Sequence, residues 1–426
     1  MPIVNGKYVA PTWANDAPPA IDRTELQAIS DTIEGMSPGG GSDGKRYARI
    51  VIGTSTNGWN PADCDYLCDG VDDQVEINQA IAAINSSGSQ GVASIVILDG
   101  TYYLSGPISA LNGISLYGTG GTILKRNTIN SGGTYNQLVN FNFATICNIT
   151  FDGNESLFQG SPQNIYEIAA GPLTKLYNCK FHNYVYGACY LQNENAGASW
   201  IKNNLISSGD VGICVGTSQN FNIESNSIDS DTQIVYTSAA LSTCRIVNNG
   251  AYVNNIGSII LNGCYQSYIS GNRASSIQIN NTGGNFLGGT SNVIVNNILT
   301  PSSDGQVCIT LGQNTSYNVV ANNSLVSAGG GGNTGVIQDN GTNNIINTSG
   351  QITLSSSGWS GNTQTVSATG VTATNTVTTG PAPSSMNAAM QAGVYCSAQG
   401  QGTLTFTCSS VPSSSLTYNY VTQGVN

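Results

Sequence analysis

The chain has 426 residues, 52 of them glycine, with 39% hydrophobic and only 8% charged side chains. That length suits two or three domains and a large buried core. The net charge of −11, from 23 acids against 12 bases, excludes nucleic acid as the main partner, because phosphate binding needs clustered Lys and Arg. The prevalence of Gly, Asn, Ser and Thr excludes a helical protein, and recurring short apolar runs exclude disorder. No run approaches the ~20 apolar residues of a membrane helix, so membrane insertion is not expected.

The start, Met1 to Lys7, has no apolar stretch of signal-peptide length, so the expectation is synthesis in the cytosol or export by another route. Eleven cysteines carry no CxxC or Cys/His zinc spacing. Cys147, Cys179, Cys189, Cys214, Cys244, Cys264 and Cys308 lie in or beside apolar runs and read as small buried hydrophobes of a reducing compartment. Only Cys64/Cys68 and Cys396/Cys408 are pairs to check for a disulfide. The single histidine, His182, excludes a multi-His metal site, and no cofactor is expected.

Residues 1–46 read as an attachment segment. Asp22 and Glu25 have capping-box spacing, Ile21 and Leu26 suit a hydrophobic staple, and a helix should run to Glu34 before Gly35. Its apolar positions Leu26, Ile29 and Ile33 form a narrow coiled-coil-like seam, too short to stand alone. Pro38 to Ser42 is a flexible joint.

Residues 47–118 alternate strand and helix. Arg49 to Ile52 reads as a strand. Asp73 to Asn85 reads as a helix with an Asp73/Glu76 capping box and an inner face of Ile77, Ala80, Ile81 and Ile84. Ser94 to Leu98 is a short apolar run, expected as a strand buried on both faces. Asp99-Gly100 then turns the chain into Tyr102-Tyr103-Leu104.

Residues 119–348 carry a repeat, Ile/Val-x-x-Asn: Ile201…Asn204, Ile223…Asn226, Ile246…Asn249, Ile269…Asn272, Ile294…Asn297 and Val320…Asn323. Its steps are 22, 23, 23, 25 and 26 residues, and a second short apolar strand (Gly212 to Val215, Ile234 to Tyr236, Ile259 to Leu261) trails most copies. Leu176 to Cys179 and Ile149 to Asp152 continue it upstream less cleanly. A coil of this length with two or three short strands and a recurring turn Asn describes a parallel β-helix. Like residues then stack from coil to coil, and the Asn amides can bond one another while satisfying turn backbone. Leucine-rich repeats share the period, but their Leu frame is absent.

Residues 349–426 contain no Lys, Arg, Asp or Glu. Alternating Thr, Ser and Val around Val366, Val371 and Val377 predict a small separate β-sandwich.

These parts resemble known proteins. Asp69-Gly70-Val71-Asp72-Asp73, then Asn78-x-Ala80-Ile81 and Val96 to Tyr102, are similar to the N-terminal cap of pectate-lyase-superfamily β-helices. Ala10 to Asp22 with Leu26-Gln27 resembles the N-terminal segment of tail fibre proteins in phages and prophages of Gram-positive gut bacteria. Gly358-Trp359-Ser360-Gly361-Asn362 through Leu404 to Cys408 is similar to a terminal domain of the same proteins. The resemblance implies an all-β, right-handed parallel β-helix in a phage tail fibre or tailspike. It implies synthesis in the host cytoplasm, a place in the virion tail and action at the bacterial surface. The expected partners are a tail or baseplate protein at the N-terminus and a host surface polysaccharide or receptor. The short seam and the charge-free C-terminus, together with the resemblance, lead to the expectation of a homotrimer. A polysaccharide depolymerase, hydrolase or lyase, on the same scaffold is the alternative; a secreted adhesin is a third reading.

Catalysis would need paired carboxylates or a base. Asp229 and Asp231 point the same way on an extended strand, roughly 6.6 Å apart. Aligning Ile213 with Ile234 puts Asp210 under Asp231, and three carboxylates on one face could raise one pKa for acid catalysis. The same residues are good turn formers, and the hydrolase motifs of clustered Asp and Gly-His-Gly are absent, so the balance is against an enzyme. Among aromatic residues, Tyr184, Tyr186, Tyr190, Trp200 and Tyr236 are the candidates for stacking on sugar rings, with Tyr252, Tyr265 and Tyr268 following; intersubunit contact is the competing use.

Overall fold

Most coils consist of three short strands, and the turn after the first of them sets the repeat. The structure, a computed structural model, describes residues 49–424 except 89–92, 129–136, 159–164, 185, 192–198, 208–209, 217–219, 230–232, 238–242, 251–256, 282–288, 301–302, 304 and 326–334. Ahead of residue 49 it describes only an antiparallel pairing of Ile3–Val4 with Lys7–Tyr8. The helix expected between Ile21 and Glu34 lies outside the described residues.

Among the described residues the strands assemble into a fifteen-strand, a ten-strand and a six-strand sheet. One coil runs Lys175–Tyr177 in the first, Lys180–His182 in the third, Gly187–Leu191 in the second, and returns to the first at Ser199–Lys202. Successive coils pair in parallel, so the chain is a right-handed parallel β-helix. Inward residues stack on their counterparts. Leu176, Ile201, Ile223, Ile246, Ile269, Ile294 and Val320 pair in one column, and all are buried. Ile149 to Asp152 is not a copy of that unit. Its strand, Thr150–Asp152, lies in the six-strand sheet, and the residue in the column is Ile146, paired with Leu176.

The repeated asparagines form a ladder. Asn204 Nδ2 donates to Asn226 Oδ1 at 2.9 Å, and the same bond links Asn226 to Asn249, Asn249 to Asn272, Asn272 to Asn297 and Asn297 to Asn323 at 2.9–3.0 Å. Each Oδ1 also accepts the backbone N–H of the preceding Asn, and each Nδ2 also donates to a carbonyl such as Leu176 O or Ile201 O. The residue before each ladder Asn has a left-handed backbone: φ is 57° at Asn203, Ser225 and Asn248, 67° at Gly271, 58° at Asn296 and 55° at Asn322. Asn tolerates that conformation better than most residues. The Asn-Asn pairs therefore divide two tasks, the first bending the chain and the second bonding along the stack. A second ladder, Asn292 to Asn318 to Asn344, runs before the strands of the fifteen-strand sheet with 2.9 Å links.

The cap closes the N-terminal end. Strand Arg49–Thr54 pairs with Ser94–Ile97, and helix α1 (Gln74–Ser87) buries Ile77, Ala80, Ile81 and Ile84 as its spacing required. The expected capping box is not formed. Asp73 Oδ1 accepts from Gly70 N at 2.8 Å and Oδ2 from Tyr103 N at 2.7 Å, so its carboxylate ties the helix start to neighbouring backbone. Strand Ser94–Ile97 buries Ile95 and Ile97 but leaves Ser94 and Val96 half-buried: its second face is not covered as expected. All eleven cysteines are free, including both pairs considered for disulfides; Cys147 is half-buried, and the other six of the coils are buried.

Strand Ile345–Leu354 joins the two halves of the molecule. Its first residues pair in parallel with Val319–Ala321 and its remainder antiparallel with Leu416–Gln423. The C-terminal region is a sandwich of two antiparallel layers: this strand with Leu416–Gln423 and Thr376–Pro381, and a sheet of Thr363–Ser367, Thr403–Thr407 and Tyr395–Gly400. Leu354, Leu404, Phe406, Leu416, Tyr418 and Tyr420 fill its core, with a seven-residue helix α2 (Met386–Ala392) at one side.

Candidate functional site

Because the strands pair in register, outward side chains of the fifteen-strand sheet also stand in columns. One runs Lys175, Trp200, Asn222, Arg245, Tyr268, and the next runs Tyr177, Lys202, Glu224, Val247, Ser270. Between them the inward isoleucines fix the spacing. Four coil steps of about 4.8 Å give the first column a length of about 19 Å. Lys175 and Arg245 are exposed and Trp200 is half-buried, while Tyr268 is 40% exposed.

Glu224 organises the centre. Its Oε1 lies 3.5 Å from Lys202 Nζ and its Oε2 3.4 Å from Arg245 Nη1. Solvent-exposed pairs of this kind contribute about 0–1 kcal/mol, so these cations add little to stability. Lys175, Lys202 and Arg245 are three of the twelve bases of the chain, and they face a single acid here. The strip is cationic on an anionic protein, with three aromatic rings, Tyr177, Trp200 and Tyr268, set among its polar groups.

A second constellation lies on and behind the six-strand sheet. Lys125, Asp152 and His182 share one outward column. Asp152 is 6% exposed and accepts from Asn154 N at 3.0 Å and Asn183 Nδ2 at 3.2 Å, with Lys125 Nζ at 3.2 Å. Burial alone would raise its carboxyl pKa; these three partners outweigh burial and hold it below the ordinary value. Inside, Glu167 Oε2 meets Arg126 Nη2 at 3.1 Å, the side chains being 1% and 0% exposed. Burial pushes the Glu167 carboxyl up, and Arg126 reverses only part of that. A Cβ at Gly153 would lie 2.7 Å from Glu167 Oε1, so a glycine is needed for this approach. Two carboxylates pushed in opposite directions can mark an acid and a base. Here neither Glu167 nor Arg126 reaches the surface, and the arrangement is an internal strut.

The acids singled out in the sequence fare differently. Ile213 pairs with Val235, one residue beyond the Ile234 assumed in aligning Asp210 with Asp231. Asp210 is half-buried and its carbonyl accepts from Gln233 N at 3.0 Å. Asp229 ends strand Ser227–Asp229 opposite Ser207; its side chain and the whole of Asp231 lie outside the described residues.

Of the aromatic candidates, Tyr184 is 0% exposed and packed in the main core, which corrects its reading as a sugar platform. Tyr186 and Tyr190 pack with Tyr166, Val211 and Cys214 in a small cluster on the ten-strand sheet, with ring centroids 5.4 Å and 4.9 Å from Tyr166. The Tyr236 side chain lies outside the described residues. Trp200 alone of the five stands on the cationic strip. Lys175, Lys202 and Glu224 were not picked out by sequence, although they flank the Ile or Leu of successive repeat units and a register count would have aligned them.

No protein-family model matches the chain, and no curated protein does. Solved structures do. ORF18 of Geobacillus virus E2 is 16% identical, over 80% of this chain and 66% of that one, with a TM-score of 0.42. The tailspike protein of E. coli bacteriophage HK620, in complex with pentasaccharide, is 12% identical over 94% of this chain and all of its own (100%), with a TM-score of 0.40. PfbA, a surface adhesin of Streptococcus pneumoniae, is 12% identical over 65% and 90% of the two chains, with a TM-score of 0.45.

Proposed function

We propose that the chain is a receptor-binding tail fibre or tailspike that holds an acidic bacterial surface glycan along the outer face of the fifteen-strand sheet. The observation that carries the reading is the in-register strip of Lys175, Trp200, Lys202, Glu224, Arg245 and Tyr268. Flat rings with polar rims suit sugar faces, and two cations beside Glu224 with Lys175 two coils away on the same strip suit the anionic groups of the polymer. The resemblance of both chain ends to tail proteins supports a virion setting, an N-terminal attachment to the tail or baseplate and a homotrimer. Light scattering near 132 kDa, three times 44.1 kDa, is the expected mass. Depolymerase activity is the alternative, with Asp210, Asp229 and Asp231 as its candidate acids.

The test is binding of purified host wall polysaccharide to the parent, Trp200→Ala and Arg245→Ala proteins at two salt concentrations. Both variants should bind at least tenfold more weakly, and Arg245→Ala should also lose salt sensitivity. Undiminished binding by both variants would reject this face as the receptor site. Release of reducing ends or of 235 nm absorbance during the incubation would favour the depolymerase.

A further inference from the structure

The two asparagine ladders end differently. The second closes on the chain itself: Asn344 Nδ2 donates to Asp339 Oδ1 at 2.8 Å. The first has no such cap. Asn323 Oδ1 accepts from Asn297 and its Nδ2 donates to Ile294 O at 2.9 Å. In every coil below, the ladder Asn also presents its backbone N–H and its second amide hydrogen to the Oδ1 of the next Asn. Among the described residues nothing accepts these two hydrogens from Asn323.

The reason lies in the strand above. Val320 pairs with Ile346 and Ala321 with Asn347, and continuing that register brings Ser349 opposite Asn323. In the earlier coils the chain bends through a left-handed residue at this place. Thr348 does not, and the strand runs straight on to Leu354. The space a next ladder side chain would fill is instead part of a cavity of roughly 570 Å³ between the last coil and the C-terminal sandwich. Asn323, Asn347, Gln351, Leu325, Tyr420 and Val421 are among its lining residues, and among the described residues no Lys, Arg, Asp, Glu or His lines it. Asn347 Oδ1, sealed in the wall beside the cavity, has no hydrogen-bond partner among the described residues.

The geometry points to a binding site for the acetamido group of an N-acetylated sugar. An acetamido group carries the same carbonyl and amide N–H as an Asn side chain. Its oxygen takes the position of the next Oδ1, accepting from Asn323 N–H and Nδ2. Its methyl meets Leu325 and Val421, which line the same cavity. The uncharged lining suits a neutral sugar and disfavours a bare anion, which would be desolvated without a cation. This site is separate from the cationic strip.

Titration of the full chain with the methyl glycoside of N-acetylglucosamine, followed by saturation-transfer NMR, tests it; methyl glucoside and methyl glucosaminide are the controls. Only the acetamido sugar should bind, with the strongest transfer to its acetyl methyl. Asn323→Asp, which keeps the ladder acceptor, should weaken binding at least tenfold. Val421→Trp fills the cavity from a position 44% exposed without touching the ladder, and should abolish binding even if Asn323→Asp folds poorly. Equal binding of the glucoside, or full binding by Val421→Trp, overturns the proposal. So does loss of acetamido binding in Trp200→Ala with retention in Val421→Trp, which would move that sugar to the sheet face. Failure here leaves polysaccharide binding by the strip intact, and the two results are read from different variants.

Discussion

The early and late coils leave the fifteen-strand sheet through the same bend and secure it by different chemistry. Early on, Asn148 and Asn178 take the left-handed conformation with φ of 59° and 53°, and the residues after them, Ile149 and Cys179, are apolar and buried. From Asn204 onward the bend is unchanged but the next residue is a ladder Asn. The early coils also bury charge. Arg126, Asp152 and Glu167 are the buried ionic groups of the described coils, and from residue 199 the buried polar residues of the coils are Asn, Ser and Thr. The bend is thus the geometric requirement of the coil. What stacks beyond it is a local choice between packing with an ion pair and a neutral amide ladder.

The sharpest break should come at the ion pair. Glu167→Leu leaves the Arg126 guanidinium in the core without its carboxylate, and Arg does not deprotonate, so a loss of about 3–5 kcal/mol is expected. Arg126→Met should be milder, because the upshifted Glu167 can take up a proton. The double variant Arg126→Met/Glu167→Leu should recover most of the loss. Urea unfolding midpoints test the order. A double variant as unstable as Glu167→Leu would mean that the site fails through packing and not through charge.

In the late coils the comparable break is Asn249→Leu. It removes the acceptor of both Asn226 N and Asn226 Nδ2 and the donor to Ile223 O. Each buried group left unpaired costs about 1–3 kcal/mol. An unchanged melting midpoint would show that the ladder is decorative and that packing alone holds both halves.

The contrast was legible in the sequence only on one side. The late coils repeat Ile/Val-x-x-Asn at near-constant spacing, so the β-helix, the inward column and the first ladder could be read directly. The early coils keep the bend but lack the ladder Asn. Their register was therefore misplaced at Ile149, and Arg126 and Glu167, 41 residues apart, gave no local sign of meeting. The second ladder went unread because its Asn stands two residues before the Ile or Val of a unit, outside the pattern sought. Among candidate site residues, one-residue register errors mattered most. Pairing Ile213 with Val235 instead of Ile234 removes the alignment on which the Asp210 stack was built, and an aromatic such as Tyr184 cannot be assigned to the inner or outer side without knowing where the turn ends.

If the bend is what the two regions share, damaging it should have the same consequence in both. Asn178→Val and Asn248→Val force a β-branched residue into the left-handed region and should each lose about 1–2 kcal/mol, whereas the corresponding Gly variants should be tolerated. Circular dichroism melts of the four proteins decide this. A loss confined to Asn248 would tie the bend to the ladder and make the early turns a different structure.

The smallest effect separates the regions by pH. The Asp152 pKa is held below its unfolded value of about 3.9. Its contribution to stability is therefore present above that value and is lost as pH falls through the folded pKa. The Glu167 pKa is raised, so its titration acts oppositely: the folded state is favoured below the unfolded value of about 4.3 and loses that advantage as pH rises through the folded pKa. The two early carboxyls partly mask one another in the parent protein. Asp152→Asn should flatten the decline in stability below about pH 4, leaving the opposite Glu167 slope visible at higher pH. The Asn249→Leu loss, in coils whose ladder is neutral, should be the same at every pH in that range. Stability measured between pH 3 and 7 gives both results from one set of variants. An Asp152→Asn profile superimposable on the parent would mean that Lys125, Asn154 and Asn183 hold the carboxyl no better than water does.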